Sequence, residues 1–287
     1  MTATIIDGTV LAAESRKETA ERVAGFTAAY GWAPGLATVL IGDDPASEVY
    51  VRRKRKAAAE AGLEDFHHHL PADASHAQVA ALLGELADDP RVSGILLQLP
   101  LPPGLDRYSL VDLIPVEKDV DGLTTASQGL LARGLPGLRP CTPSGVIRML
   151  DSAGVRLDGA EAVVIGRSEL VGHPAAELLL RRGATVTIAH SRTRALAEVT
   201  RRAEVLVAAA GIPGLVTAEH VRPGAAVIDV GIHRTEDGLT GDVRFAEVSR
   251  TAGWITPVPG GVGPMTIAML LANTITAAEN AAYAATR

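Results

Sequence analysis

Short apolar runs alternate with segments of helical character along most of the chain, and this alternation limits the folds open to it. The apolar runs are residues 37–41, 93–99, 161–165, 184–190, 204–208 and 225–230. Segments of helical composition lie between or before several of them, at residues 46–61, 76–88 and 172–182. A strand–helix–strand order pairs the strands in parallel through right-handed crossovers. We therefore predict an α/β fold, with a Rossmann-like, doubly wound parallel sheet in the second half.

A stretch rich in glycine and proline, residues 115–145, separates the two halves of this 287-residue chain. A chain of this length is comfortable for two domains. We predict a first domain at residues 1–140, completed by a C-terminal helix at 265–287, and a second, Rossmann-like domain at 141–264. Thr142 followed by Pro143 suggests a helix N-cap and the first helical position, where the second domain begins.

Composition excludes several classes of partner. The formal net charge of −6 does not favour binding to nucleic acid or to an anionic membrane surface. A single cysteine, Cys141, rules out a disulfide within the chain and fits a reducing compartment. The N-terminus does not resemble a signal peptide, and the longest apolar stretch near the C-terminus is far shorter than the ~20 residues of a membrane span. We expect a cytoplasmic protein with no membrane partner.

A glycine-containing loop follows the strand at residues 161–165 and predicts a nucleotide site. Gly166, Arg167 and Ser168 lie between that strand and the next helix, where backbone N–H groups can bind phosphate. The following strand ends at Ser191 and Arg192 without the carboxylate that would bind the ribose of NAD. A hydroxyl and two arginines suit the 2′-phosphate of NADP instead. The alternatives are a tight turn that needs glycine and a solvated Arg192.

Lys54 is a candidate for proton transfer, because lysine can lose its proton near neutral pH and arginine cannot. It is one of only four lysines, and it follows Tyr50 by one turn of a predicted helix, so the two side chains share a face. Five basic residues crowd Arg52–Lys56, and nearby like charges lower the pKa of a lysine, as does burial. A solvated basic helix face is the competing interpretation, and it is the better one for this segment taken alone.

Three further segments carry polar or glycine-rich candidates. Gln98 ends a buried strand, at the edge where ligands bind in parallel sheets. Asp121 belongs to a Lys-Asp-Val-Asp-Gly turn, and the alternative to a site is an Asp-Gly turn with solvated side chains. Pro259, Gly260 and Gly261 belong to a constrained segment that would let backbone approach a flat ligand.

The three consecutive histidines and the cysteine are interpreted as structural residues. His67, His68 and His69 alternate sides on a strand and cannot all face one ion, so we predict no metal site. Cys141 is expected to be a small buried residue.

In order and spacing, several segments resemble the methylenetetrahydrofolate dehydrogenase/methenyltetrahydrofolate cyclohydrolase family. They are DDPASEVYVRRKRKA, GILLQLPLP, KDVDG, PCTPSGV, VVIGRSELVG, VIDVGI, GDV and TPVPGGVGPMT, between about residue 40 and about residue 275. The resemblance implies oxidation of 5,10-methylenetetrahydrofolate with NADP⁺, and then hydrolysis of the methenyl product to 10-formyltetrahydrofolate. It also implies two α/β domains flanking a cleft, a homodimer, and a place in one-carbon metabolism that serves purine biosynthesis.

The resemblance also implies roles for particular residues. Lys54 would be the acid/base of hydrolysis, Gln98 would adjust it, Tyr50 would stack on the folate and Asp121 would grip the pterin. The residues implied for NADP binding are Gly166, Arg167, Ser168, Ser191 and Ile232, to which the absence of a carboxylate adds Arg192. Pro259, Gly260 and Gly261 are assigned to the substrate site.

The chain departs from the family pattern around the nucleotide loop, and rival functions remain open. Glu169, His173, Ala189, His233 and Arg244 stand where other residues are frequent in the family, which bears on the preference for NADP. The rivals are a family member with dehydrogenase activity alone, an NADP-dependent dehydrogenase of another class such as a shikimate-type enzyme, and a non-catalytic folate-binding protein.

Overall fold

The computed structural model describes residues 2–236 and 238–286. The strands are β1 (Thr4–Ile5), β2 (Gly35–Ile41), β3 (Glu64–Leu70), β4 (Val92–Leu97), β5 (Glu161–Ile165), β6 (Thr185–Ala189), β7 (Val205–Ala208), β8 (Ala226–Asp229), β9 (His233–Thr235), β10 (Gly238–Thr240) and β11 (Trp254–Ile255). The helices are α1 (Gly8–Tyr30), α2 (Pro45–Glu60), α3 (His76–Asp88), α4 (Arg107–Val111), α5 (Thr125–Ala132), α6 (Cys141–Ser152), α7 (Gly172–Arg181), α8 (Leu196–Thr200), α9 (Phe245–Val248) and α10 (Val262–Ala285). The predicted α/β class is confirmed.

One compact unit, the three-stranded unit, comprises Glu14–Cys141 and Ile267–Arg287. Its parallel sheet has the order β3-β2-β4. Every residue of β2 and β4 is buried, as the apolar runs predict for strands covered on both faces. The C-terminal part of α10 belongs to this unit, where Leu270, Leu271 and Ile275 pack with Val23 and Leu96.

The other compact unit, the six-stranded unit, comprises Met1–Ala13 and Thr142–Thr266. All neighbours in its sheet are parallel, in the order β1-β11-β8-β7-β5-β6. The chain passes from β5 outward to β6 and then returns to β7 on the other side of β5. That reversal creates the switch point at which α/β sheets bind ligands, just beyond the carboxyl ends of the strands.

The N-terminal segment lies outside the unit in which its position in the sequence would place it. Residues up to Ala13 cluster with the six-stranded unit, because Thr4 and Ile5 pair in parallel with Trp254 and Ile255. A two-residue strand leaves almost no signal in the sequence, so its pairing partner could not be predicted.

The start of α6 also differs from the prediction. Thr142 is not the N-cap, because the helix already begins at Cys141. The Thr142 hydroxyl instead lies 2.9 Å from the Thr266 hydroxyl. Pro143 remains within the first turn, where its missing N–H costs no hydrogen bond.

Helix α1 is the largest element that the apolar pattern did not indicate. Its buried face is regular, at Gly8, Ala12, Ser15, Thr19, Val23 and Phe26. This spacing of three and four residues is helical. Most of these residues are small or polar, however, so the face carries no apolar stripe in the sequence. Within the described chain, no helix has the length and apolar character needed to cross a membrane.

Candidate active site and nucleotide site

Lys54 is buried on helix α2, whereas its basic neighbours are not. Asp44 caps the helix by accepting the Ser47 N–H at 2.8 Å, which fixes where the helix begins and therefore which face Lys54 occupies. Lys54 is 5% exposed, while Arg52 and Arg53 are exposed to solvent. The solvated basic face is therefore real, but Lys54 lies on the opposite side.

The Lys54 ammonium has a fixed polar partner. Its Nζ donates to Gln98 Oε1 at 3.1 Å and lies 4.8 Å from the centre of the Tyr50 ring. Gln98 follows β4, and its backbone N–H donates to the Val39 carbonyl at 2.9 Å. The Gln98 Nε2 donates to the Leu99 carbonyl, so the amide oxygen must point towards Lys54. Three side chains that the sequence separates by up to 48 positions therefore meet at one point.

The Lys118–Gly122 turn, which follows α4, is held in place by its first two polar residues. Lys118 Nζ donates to the carbonyls of Ala87 and Asp89, both at 2.8 Å, at the C-terminal end of α3. The buried Asp119 carboxylate accepts the N–H groups of Gly122, Leu123 and Thr124. Asp119 is thus a structural residue, and the alternative of two solvated carboxylates is wrong for it.

Asp121, the second carboxylate of the turn, is half-buried and interacts electrostatically with Lys54. Its neighbour Gly122 has φ of +69°, and a Cβ there would meet the Pro140 nitrogen at 2.5 Å, so only glycine fits. The structure therefore brings Tyr50, Lys54, Gln98 and Asp121 together within the three-stranded unit.

Burial shifts the protonation equilibria of this group towards neutral forms. Burial lowers the pKa of Lys54, and the negative charge of Asp121 opposes that shift. Of the two expected causes of this lowered pKa, burial is confirmed and crowding by like charges is wrong, because Arg52, Arg53 and Lys56 are exposed and Arg55 pairs with Asp65. Burial likewise raises the pKa of Asp121, helped by Asp119 and opposed by Lys54.

Cys141 lies beside these residues, and its place there was not predicted from the sequence. It is buried, as expected for a small residue, and its thiol donates to the Val120 carbonyl at 3.2 Å. Burial and the charge of Asp121 raise the pKa of the thiol well above its ordinary value. Cys141 therefore remains protonated and is a hydrogen-bond donor rather than a nucleophile.

The predicted nucleotide loop lies at the carboxyl end of β5 in the six-stranded unit. Gly166 has φ of +122°, and a Cβ there would meet the Ala209 carbonyl oxygen at 2.1 Å. A Cβ on Gly172 would meet the Gly166 carbonyl oxygen at 2.3 Å. Ser168 accepts the N–H of Val171 at 3.2 Å and so organises the turn into α7. Close backbone contacts therefore explain both glycines without a nucleotide. Arg167, next to Gly166, is exposed to solvent.

The next strand ends beside this loop. β5 and β6 are in register from Glu161↔Thr185 to Ile165↔Ala189, and the Gly166 N–H donates to the Ala189 carbonyl at 2.8 Å. Ser191 and Arg192, exposed just beyond β6, therefore lie at the same edge of the sheet as Arg167. The residues present fit NADP, because this edge offers a hydroxyl and two arginines and no carboxylate follows β6 before Glu198.

Ile232 follows β8 and is 55% exposed, an unusual exposure for a large apolar side chain at the ligand-binding edge of a sheet.

The end of β8 also belongs to a carboxylate network that was not predicted as a unit. Asp229 accepts the N–H groups of Asp242 and Val243, both at 2.9 Å. Burial raises the pKa of Asp229 to about 6. The Asp-Val-Gly at the end of the apolar run 225–230 and the Gly-Asp-Val at residues 241–243 are the sequence signals for this pair.

Asp242 continues the network to the loop after β7. It accepts the N–H groups of Ala210 at 2.6 Å and Gly211 at 2.9 Å, and its other oxygen lies 2.7 Å from His233 Nε2. The departure from the family pattern at His233 thus still supplies a partner to a buried carboxylate.

The segment containing Pro259, Gly260 and Gly261 also belongs to the six-stranded unit. Gly260 has φ of +97°, and its carbonyl accepts the Thr9 N–H at 3.1 Å. A Cβ on Gly8 would meet the Gly261 carbonyl oxygen at 1.8 Å. These contacts explain the glycines by backbone packing, and a role in substrate binding remains a prediction for all three residues.

The three consecutive histidines form part of β3, as predicted. His67 Nδ1 lies 3.0 Å from the Thr38 hydroxyl, and His69 Nε2 lies 3.0 Å from the Gly42 carbonyl oxygen. In the described residues, no three or more His, Cys, Asp or Glu side chains are grouped so as to hold a metal ion.

Two family models match the chain. The model for the tetrahydrofolate dehydrogenase/cyclohydrolase catalytic domain matches residues 6–121. The model for the tetrahydrofolate dehydrogenase/cyclohydrolase NAD(P)-binding domain matches residues 140–282. Both halves of the chain are therefore assigned to one family.

Known proteins agree with this assignment over almost the whole length. The bifunctional protein FolD 2 of Frankia alni is 65% identical over 98% of this chain and 98% of its own. The crystal structure of the bifunctional FolD enzyme of Campylobacter jejuni has a TM-score of 0.94 at 44% identity, covering 97% of this chain and 99% of that one. The Trypanosoma brucei methylenetetrahydrofolate dehydrogenase-cyclohydrolase, complexed with NADP cofactor and inhibitor, has a TM-score of 0.94 at 40% identity over 98% and 99% of the two chains.

The electrostatics of Lys54 yield a direct prediction. With four lysines, a chain labelled with [ε-¹³C]lysine gives few signals, and the Lys54 signal is identified by its loss in Lys54→Arg. Its titration midpoint is expected below the ordinary value of 10.5, because burial disfavours the charged form. Asp121→Asn is expected to lower the midpoint further, since it removes the favourable negative charge. A Lys54 midpoint at or above 10.5 in the wild type would contradict this electrostatic description.

Proposed function

The chain belongs to the tetrahydrofolate dehydrogenase/cyclohydrolase family, as an enzyme of both activities with NADP as its cofactor, and we propose that Lys54 is the proton-transfer group of the cyclohydrolase step. The observation that carries this proposal is a buried lysine in contact with Gln98 and Tyr50 and influenced by Asp121. The reactions are oxidation of 5,10-methylenetetrahydrofolate and hydrolysis of the 5,10-methenyl product to 10-formyltetrahydrofolate.

The oxidation step demands orientation more than acid–base chemistry. NADP⁺, held by the residues assigned to it below, would supply the hydride acceptor for this step. The carbon that loses the hydride lies between two nitrogens, so the resulting cation is stabilised by resonance. The tasks left to the protein are binding and alignment of the substrate. We assign them to Tyr50, as a stacking surface for the folate ring, and to Asp121, as a hydrogen-bonding partner of the pterin.

The hydrolysis step requires protons to move. Water adds to the methenyl carbon and loses one proton, a ring nitrogen gains a proton as its bond to that carbon breaks, and the hydroxyl gives up its remaining proton to solvent as the formyl C=O forms. A lysine with a lowered pKa can accept the first proton and deliver the second. Gln98 Oε1 accepts a hydrogen bond from Lys54 in the present structure and so fixes the direction of the Nζ lone pair when the amine is neutral.

Cofactor binding is assigned to the edge formed by the carboxyl ends of β5, β6 and β8. Gly166, Arg167 and Ser168 are placed to meet phosphate, and Ser191 with Arg192 to meet the 2′-phosphate. The exposed Ile232 side chain offers an apolar surface for the nicotinamide ring. Pro259, Gly260 and Gly261 are retained as substrate-site residues on the strength of the family resemblance.

We further propose a cytoplasmic homodimer that supplies one-carbon units for purine biosynthesis. The single cysteine of the chain, buried and reduced, agrees with a reducing compartment. Light scattering of the purified 29.7 kDa chain is expected to give twice that mass. A monomeric mass at micromolar concentration would contradict the dimer.

Lys54→Met is expected to lower cyclohydrolase turnover by at least ~100-fold, the contribution typical of a positioned acid or base. Hydride transfer should survive in part, because it needs no proton transfer. Absorbance of the methenyl product distinguishes the two steps, since it accumulates when oxidation outpaces hydrolysis. Lys56→Met is the matched control, because Lys56 lies two residues away but is exposed. Full hydrolysis by Lys54→Met would remove Lys54 from the mechanism, and methenyl accumulation in the wild type would favour a dehydrogenase-only enzyme.

Arg167→Ala is expected to raise the KM for NADP⁺ at least ~10-fold while changing the KM for NAD⁺ little, because only NADP⁺ carries the 2′-phosphate that a charged hydrogen bond would hold. Initial rates of oxidation with either cofactor measure the effect. Arg156→Ala, which removes an exposed arginine of the same unit far from β5's carboxyl end, serves as the control. Equal losses with the two cofactors would show that Arg167 does not read the 2′-phosphate.

A further inference from the structure

Asn273 on α10 is placed against the backbone of the Asp121 turn. Its Nδ2 lies 2.8 Å from the Val120 carbonyl oxygen and 2.8 Å from the Arg139 carbonyl oxygen. Both neighbours are acceptors only, so the nitrogen of the amide must face them, and its two hydrogens supply one bond each. A third contact, at 3.7 Å, reaches the Cys141 sulfur.

The Val120 carbonyl oxygen accepts hydrogen bonds from two side chains. It accepts from Asn273 and also from the Cys141 thiol, at 3.2 Å. The next residue in the chain is Asp121. On the other side of Asp121, the Asp119 carboxylate holds the N–H groups of Gly122 and Thr124. The backbone of Asp121 is therefore fixed from both directions.

Tight packing of the Val120 side chain keeps the backbone at this position from taking another path. It is fully buried, and a Cβ on Gly94 of β4 would come within 2.3 Å of Val120 Cγ1. The turn therefore packs tightly on β4 while its carbonyl is held by α10. Loss of the Asn273 bonds would leave the Val120 carbonyl with the weak Cys141 thiol donor and would remove the link between the Val120 and Arg139 carbonyls, so the peptide before Asp121 would be held less firmly.

We propose that Asn273 is a positioning residue, which joins the Val120 and Arg139 carbonyls and thereby holds the Asp121 carboxylate in place opposite Lys54. The proposal rests on the role assigned to Lys54 in hydrolysis. Nothing in it requires Asn273 to touch substrate or cofactor. Its consequence is that a residue of the C-terminal helix sets the electrostatics of the lysine site through a backbone carbonyl.

Asn273→Leu tests the proposal, since leucine fills a similar volume and donates no hydrogen bond. If Asp121 moves away from Lys54, the ammonium loses a favourable neighbour. The Lys54 titration midpoint and the pH at which hydrolysis reaches half its maximum should both fall, by up to about one unit. Asn273→Ser, which keeps a single donor, should give a smaller shift of the same sign and provides a second folded variant.

The Asp121→Asn background separates positioning from general loosening of the fold. If Asn273 acts through the Asp121 charge, Asn273→Leu should shift the Lys54 midpoint in the wild-type background and leave it unchanged in Asp121→Asn. Thr274→Val is the matched control, because Thr274 is buried on the same helix and its hydroxyl donates to the Leu270 carbonyl of that helix rather than to the Asp121 turn. Loss of this hydroxyl bond is expected to lower stability and to leave the Lys54 midpoint unchanged.

Two outcomes would overturn the proposal. One is a wild-type Lys54 midpoint in both folded Asn273 variants, and the other is a shift of equal size in the Asp121→Asn background. The titration needs no turnover, so these results stand whether or not Lys54→Met abolishes hydrolysis. Failure of the positioning role is thereby distinguished from failure of the assigned lysine role.

Discussion

The burial of one ammonium group explains most of the local structure around the lysine site. A charge placed out of water needs polar partners close by, or it is lost to deprotonation. Lys54 has a single fixed acceptor, Gln98 Oε1, a ring face and a partly compensating carboxylate. Gln98 Oε1 can accept a hydrogen bond from Lys54 Nζ whether the amine is charged or neutral. The elements around it, α2, the end of β4 and the Lys118–Gly122 turn after α4, carry the three partners.

Carboxylates in this protein divide into those that hold backbone and those available for chemistry. Asp119 accepts three backbone N–H groups, Asp229 accepts those of Gly231, Asp242 and Val243, and Asp242 accepts two more. Asp119 shapes the turn that leads into α5, and Asp229 and Asp242 shape loops at the carboxyl ends of β7 and β8. Asp121 interacts instead with a side chain that can titrate. Two aspartates separated by one valine thus have opposite tasks, because one points into the turn and the other out of it.

The sequence predicted the elements whose residue types match their environment. Buried parallel strands such as β2 and β4 are continuous apolar runs, and α3 carries a capping box, so their bounds were predicted to within two residues. Helix α1 was not predicted, because its buried face uses glycine, alanine, serine and threonine. The site shows the same division. Tyr50 and Lys54 are one turn apart and were paired by periodicity, whereas Asn273 and Cys141 join the turn only through backbone carbonyls, which no side-chain pattern encodes.

Burial acts on three groups at the lysine site with different chemical results. It lowers the pKa of Lys54 and raises the pKa of Asp121, so both shift towards neutral pH, where proton exchange is useful. It raises the pKa of Cys141 away from neutral pH, which keeps the thiol protonated and removes a competing nucleophile from the site. Arginine in place of Lys54 would remain charged under the same burial, since its pKa lies too high to be brought near neutrality. In a chain that otherwise favours arginine, the lysine at this position is therefore explained by its ability to become neutral.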